Sequence, residues 1–258
     1  VDSLLESLPT TGWEVFRNVK STYSMFYGIY TVSWDMIPKD IMKYFPNVVD
    51  ASYMFYYTRC NEIPAYFTVN NPELMYIDNM FYGAQVESIG DYAFACLNKL
   101  VSAIHVIDSR CNIYFSGMQS DTLRSIGDSV FENCINLETN LSYIFEVHGN
   151  IEGYHGLDTV GSYVFKNCKK IITSSAGDIF QGNWYLQSIG DGVFEGCESI
   201  TNMINFCHCC FSLASVGRNL FKGCTNLRTI YEGFRHNYNL TSVGSGMFRD
   251  CVNLQNIS

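Results

Sequence analysis

Charge is the first thing this sequence has little of. Charged residues fill 16% of the 258 positions and apolar ones 47%, too little charge for a disordered chain and enough apolar surface for a continuous core. Basic residues are scarcer still, 16 against 25 acidic ones, and the net charge of −9 weighs against a nucleic-acid phosphate backbone or an anionic membrane surface as the main partner. Long apolar runs are missing as well, with no stretch approaching the ~18–20 residues of a membrane span. No charged-then-apolar signal peptide stands at the start. The G-x-S-x-G, H-E-x-x-H, Walker and dinucleotide fingerprints are all absent, so no enzyme activity is expected. The chain opens at Val1 and stops at Ser258 inside a repeat, and the expectation is a piece of a longer product.

What the sequence has instead is one phrase spelled repeatedly. SIGDGVFEGCESI starts at Ser188, SVGRNLFKGCTNL at Ser215 and SVGSGMFRDCVNL at Ser242, so Gly190, Gly217 and Gly244 are evenly spaced. Four residues after each glycine comes Phe194, Phe221 or Phe248, and three further on Cys197, Cys224 or Cys251. A fixed period of about 20–50 residues is the signature of a solenoid. The N-terminal third keeps the frame with another phrase: Met25-Phe26-Tyr27, Met54-Phe55-Tyr56 and Met80-Phe81-Tyr82. Phe55, Phe81 and Phe234 each fall at the same distance after an anchor (Ile37, Ile63, Val216), and Cys207 takes that place after Ile189. Coils are expected to begin near Leu8, Ile37, Ile63, Ile89, Ile126, Val160, Ile189, Val216 and Val243. That makes about nine coils of roughly 26–37 residues in one solenoid over residues 1–258, with Met-Phe-Tyr coils over 1–88 and Ile-Gly-x-x-x-Phe-x-x-Cys coils over 89–258.

Within a coil, Leu227-x-x-Ile230 and Leu240-x-x-Val243 put polar residues between two inward ones, a pattern too short for an ordinary helix and suited to short parallel strands. Glycine after the anchor suits a bend needing permissive backbone angles, and proline in the early coils a fixed one. The phenylalanines are expected to form an internal ladder. Residues beside the strand anchors, Glu138, Thr139, Arg228, Thr229 and Tyr231, are expected to face solvent.

The phrase S-[IV]-G-x-x-x-F-x-x-C-x-x-[LI], recurring from Ser125 to Leu254, resembles the BspA-like leucine-rich repeats of bacterial and protozoan surface proteins. The Met-Phe-Tyr coils look like a sister repeat type of surface lipoproteins and phage-associated proteins of gut bacteria. The resemblance implies a curved leucine-rich-repeat array with a parallel sheet, an extracellular, cell-surface or virion-surface setting, and adhesion to a host protein, a glycan or another cell. It brings no catalytic residues and no cofactor. Residues 88–100 depart from the phrase, their cysteine being shifted by one to Cys96.

Coil length is the most informative irregularity. The step between successive glycines is longest from Gly90 to Gly127 and from Gly127 to Gly161, shorter to Gly190, and then constant through Gly217 to Gly244, so two coils carry insertions. One lies between Leu100 and Leu123 and contains Arg110 and Tyr114; the other lies between Phe145 and Leu157 and contains His148, Tyr154 and His155. Adjacent coils stack, so the two loops are expected side by side, and solenoid insertions often emerge on a binding face. These five residues are candidate ligand contacts, with Glu138, Arg228 and Tyr231 on the strand face as the competing site.

Eleven cysteines do not make a disulfide framework here, because the count is odd and five of them share one repeat position, where neighbours point the same way. Buried thiols are expected. Cys207-His208-Cys209-Cys210 has zinc-ligand chemistry but no second Cys/His pair at a recognisable spacing, so no metal is expected. Tyrosine is concentrated toward the N-terminus, from Tyr23 to Tyr92, where it can stack on sugars or peptides or simply rim an aromatic core. The reading is a non-enzymatic recognition or adhesion module for a protein or glycan on a cell surface. The alternative is a structural spacer or tail-fibre component with no ligand of its own.

Overall fold

Each Ser-Ile or Ser-Val pair of the repeat becomes a very short strand. The computed structural model describes residues 12–108, 123–141, 145–146, 156–173 and 179–258. Among them are β1 (Glu62–Ile63), β2 (Ser88–Ile89), β3 (Ile107–Asp108), β4 (Ser125–Ile126), β5 (Phe145–Glu146), β6 (Thr159–Val160), β7 (Ser188–Ile189), β8 (Asn202–Ile204), β9 (Ser215–Val216), β10 (Thr229–Tyr231), β11 (Ser242–Val243) and β12 (Asn256–Ile257). Helical structure among the described residues amounts to short 3-10 segments such as Trp13–Phe16 and Ile41–Tyr44. The strand pairings among these residues are parallel, and the fold is a parallel-strand β-solenoid.

The anchor row forms a seven-stranded sheet in the order β1-β2-β4-β6-β7-β9-β11, with Ser88, Ser125, Thr159, Ser188, Ser215 and Ser242 in register. A second sheet, β8-β10-β12, uses the other half of each coil, so Asn202, Thr229 and Asn256 align. In the early coils that row shrinks to isolated bridges, Ser21 to Asp50, Asp50 to Tyr76 and Tyr76 to Ser102. Proline explains where the first sheet begins. In later coils the N–H after the anchor bonds the anchor carbonyl one coil back, as Gly217 does to Ile189 at 2.8 Å. Pro64 has no N–H to offer Ile37, so Ile37 is buried as an anchor yet starts no strand.

The glycine after the anchor has a different cause from the expected one. It does not take a positive φ. A Cβ on Gly217 would instead stand 2.4 Å from the carbonyl carbon of Gly190, backbone against backbone. The permissive conformation is needed further on, in the turn, where Ser129 (φ 56), Tyr163 (φ 59), Gly192 (φ 56) and Asn219 (φ 58) follow one another in successive coils.

Inward side chains from both halves of the coil share one core. Phe94, Phe131, Phe165, Phe194, Phe221 and Phe248 stack at centroid spacings of 5.2, 5.7, 5.6, 5.4 and 5.9 Å with near-parallel rings. Phe26, Phe55 and Phe81 form a second ladder at 5.5 and 4.9 Å. Two coils break the rule and repair it. Phe180, Cys207 and Phe234 occupy one slot, since the Phe180 N–H bonds the residue before Cys207 and the Cys207 N–H the residue before Phe234. The ring missing at Cys207 comes from Phe206, which packs edge-on against Phe180, Phe194, Phe221 and Phe234 at 5.5–5.7 Å. In the following coil the position of Phe206 is held by Gly233, which adds no side chain to that space. Thr68 opposite Phe94 is the same exchange, with Phe67 beside it and Ala93 in the following coil; the buried Thr68 hydroxyl donates to the Ala93 carbonyl at 3.0 Å.

Phe194→Ala or Phe221→Ala is therefore expected to cost roughly 3–5 kcal/mol, as for a large aromatic lost from a packed core. Amide hydrogen exchange should speed up first in the two adjacent coils, because each repeat contacts mainly its neighbours. Unchanged denaturant midpoints in both variants would contradict the ladder.

Candidate recognition surfaces

The strand-face candidates do not form one patch: Arg228 immediately precedes β10 and Tyr231 ends it, and Glu138 lies apart from them. Glu138 and Arg228 hold equivalent positions, their N–H groups bonding the Val101 and Thr201 carbonyls, but they belong to coils that are not neighbours. Glu138 is exposed and pairs with Lys170 at 2.9 Å, Arg228 is exposed, and Tyr231 is half exposed at the end of β10. Thr139 corrects the expectation of a solvent-facing residue: it is 5% exposed, and its hydroxyl accepts the Ala103 N–H at 2.9 Å. Each strand is so short that inward-outward alternation is lost within one residue of its end.

Arg110, Tyr114, His148, Tyr154 and His155 lie outside the described residues. The roots of their loops do not. β3 leads into the first insertion and β5 into the second, and the two strands pair in parallel, Ile107 with Phe145 and Asp108 with Glu146. The insertions thus leave the stack from adjacent positions.

The thiols are structural. Cys134, Cys168, Cys197, Cys224 and Cys251 each donate to the carbonyl of the phenylalanine one coil earlier (Phe94, Phe131, Phe165, Phe194, Phe221) at 3.0–3.1 Å, and Cys210 does so to Phe180. The cysteines among the described residues are free. Burial pushes the Cys134 thiol up to about 12, removing it from nucleophilic chemistry. In residues 88–100 the shifted Cys96 is exposed, and Leu97 takes the buried slot. In the 207–210 cluster, Cys207 and Cys210 turn inward and Cys209 is partly exposed. The two ring nitrogens of His208 are buried without a hydrogen-bond partner, 5.3 Å centroid to centroid from His236. No group of three or more His, Cys, Asp or Glu side chains placed to hold a metal occurs among the described residues.

A groove of about 510 Å³ runs along the first sheet beside Ser125, Thr159, Ser188, Asp91 and Asp128. Its carboxylates are engaged in joining coils: Asp91 accepts the Asp128 N–H at 2.8 Å, and Asp128 the Ser162 N–H at 2.6 Å.

A dense surface concentration of aromatic side chains lies on the early coils. Tyr27, Tyr56 and Tyr82 hold one position in three successive coils and stack at 4.5 and 4.9 Å, with interplanar angles of 6° and 3°. Tyr57 stands at 89° to both Tyr56 and Tyr82, its ring over Gly83, where a Cβ would meet it at 2.5 Å. Tyr30 lies 6.1 Å from Tyr57, and on the other flank Tyr53 touches Tyr23, Tyr27 and Tyr56. Desolvation, then Tyr23 and Asp78, push the Tyr53 phenol above its ordinary value, so it stays neutral. Tyr23 and Tyr27 are at least half exposed. A second row, Trp184, Phe211 and Tyr238, escapes a reading of the sequence although its members recur at the same interval as Gly190, Gly217 and Gly244; their rings lie 5.7 and 6.4 Å from one another. Their signal is periodicity outside the repeated phrase.

Solenoid, short parallel strands, ring ladders and a row of buried thiols at one repeat position together define a leucine-rich-repeat array. The BspA type Leucine rich repeat region matches the chain in six copies, over residues 61–142, 109–180 and 147–258, and the chain belongs to that family. Among solved structures, a leucine rich repeat protein of T. pallidum is 21% identical, covering 77% of this chain and 80% of its own, with a TM-score of 0.37. One from Bacteroides ovatus is 18% identical over 97% and 71% (TM-score 0.31), and a leucine rich cell surface protein from Faecalibacterium prausnitzii is 15% identical over 95% and 81% (TM-score 0.18). No curated protein matches. No helix among the described residues is long and apolar enough to cross a membrane.

Thiol labelling tests the arrangement. In the native protein Cys96 and Cys209 should react first, Cys251 slowly, and Cys134, Cys168, Cys197 and Cys224 only after unfolding. Rapid native labelling of Cys168 or Cys197 would show that these thiols do not face the carbonyls.

Proposed function

We propose that the chain is a non-enzymatic recognition or adhesion module at a cell surface, outside the cell, where it binds a host or cell-surface protein or glycan. Its family supports a repeat module of the protein-binding or surface kind. The observation that carries the finer reading is the tyrosine face. A solenoid core needs Phe26, Phe55 and Phe81; it does not need Tyr23, Tyr27 and Tyr30 at 45–56% exposure beside them. Tyrosine supplies large contact area at little cost in side-chain entropy and is enriched at interface hot spots. Stacking in register also fixes the rings before any ligand arrives, which lowers the ordering cost of binding.

The test is binding of the intact chain to arrays of extracellular proteins and glycans, followed by the triple substitution Tyr27→Ser, Tyr56→Ser, Tyr82→Ser. Loss of a hot-spot aromatic typically weakens binding by roughly 10-fold or more, so the triple variant should lose its ligand while keeping its circular dichroism spectrum. Full affinity in the triple variant would move recognition to the inserted loops or to Arg228 and Tyr231. Absence of any ligand would favour a spacer.

A further inference from the structure

The tyrosine face has a shape that selects among ligands. Inside the ladder the ring faces cover one another at 4.5 and 4.9 Å, so what it offers a partner is a comb of ring edges, not open faces on which a sugar could lie. Tyr57 rises at right angles beside that comb. One coil earlier its place is held by Gly28, with nothing within 4 Å of where a Cβ would stand. The result is a notch bounded by Tyr27, Tyr30 and Tyr57, opening onto the ladder. None of the residues forming it carries a charge.

We propose, on the basis of the recognition reading above, that this notch and ladder dock a proline-rich segment in the polyproline II conformation, lying along the solenoid axis. Aromatic-lined grooves take such segments because the helix is preformed and offers apolar rings and carbonyls without charge. The spacing agrees. A polyproline II helix has three residues per turn and rises about 3.1 Å per residue, so it presents the same edge every ~9.3 Å. Parallel coils repeat at about 4.7–4.9 Å, so two coil steps match one turn to within about half an ångström. Tyr27 and Tyr82 are two coil steps apart. Prolines at i and i+3 therefore meet equivalent tyrosines, and the flanking residues fall over Tyr56 and the Tyr57 wall.

The experiment is fluorescence anisotropy with the intact chain and labelled peptides of one composition. One carries prolines at i, i+3 and i+6 among alanines; the other has the same prolines in a block at one end. The spaced peptide should bind saturably and about tenfold more tightly than the blocked one. Tyr57→Ser should weaken it about tenfold, and Tyr57→Phe, which keeps the ring on Gly83, should weaken it less. Tyr66→Ser, which removes an exposed tyrosine stacked on Tyr92 outside the notch, should leave binding unchanged. Equal affinity for both peptides, or no effect of Tyr57→Ser in a variant that melts like the parent, would overturn the proposal. So would a collagen-like triple-helical peptide binding where the single strand does not. If the triple serine variant loses an array ligand while no proline-rich peptide binds, the ligand class falls and the recognition reading stands.

Discussion

The structure depends on how closely one coil's backbone lies on the next. In successive coils the N–H after the anchor reaches back to the preceding anchor: Gly90 to Ile63 at 2.7 Å, Gly127 to Ile89 and Gly161 to Ile126 at 2.8 Å, Gly244 to Val216 at 2.8 Å. The contact is too close for any side chain, which is why a Cβ on Gly217 would collide with Gly190. Phenylalanines, thiols, surface carboxylates and tyrosines each repeat because the backbone repeats. The ring rows are not bound to the strand spacing itself: Phe131 and Phe165 stay parallel within 6° with centroids 5.7 Å apart.

Much of this was legible in the sequence because a solenoid turns periodicity directly into contact. Phe194, Phe221 and Phe248 recur at one constant interval and stack. Cys207 was legible as an occupant of a phenylalanine slot, but the compensating Phe206 was not, since its reason lies in the neighbouring coils. Thr139 follows a strand anchor and so reads as exposed, yet the following bridge turns it inward to meet the Ala103 N–H. Glycine after the anchor stands out in the sequence, but for the wrong cause: a distance to another coil is invisible to a reading based on local backbone angles. The uneven spread of tyrosine was plain, whereas the right angle between Tyr57 and its neighbours depends on Gly83 one coil later.

Two kinds of surface arise from the same scaffold. The insertions leave from β3 and β5, where the chain departs from the period. The tyrosine face exists because the chain keeps its period, so its geometry is inherited from the stack and is as rigid as the stack. Glu138, Arg228 and Tyr231 belong to neither kind: Arg228 precedes and Tyr231 ends β10 in one coil, Glu138 lies in a coil that is not its neighbour, and the fold does not gather the three. A surface made by repetition reads a ligand by its own repeat, whereas a surface made by interruption reads it by shape.

The exchange between Phe206, Cys207 and Gly233 ties the history of one coil to that of the next. A Cβ at 233 would already stand 2.7 Å from the Ile230 side chain, so any other residue there would have to displace that side chain in the core beside Phe206 and Phe234. A phenylalanine restored at 207 would make that ring superfluous. Positions 206, 207 and 233 are therefore bound to drift together, as are 67, 68 and 93. Coils that look interchangeable by their shared phrase are thereby marked with an order: moving the coil that carries Phe206 to another place in the stack would set it next to a side chain instead of a glycine. The array can lengthen by copying neighbours as a group more readily than by shuffling single coils.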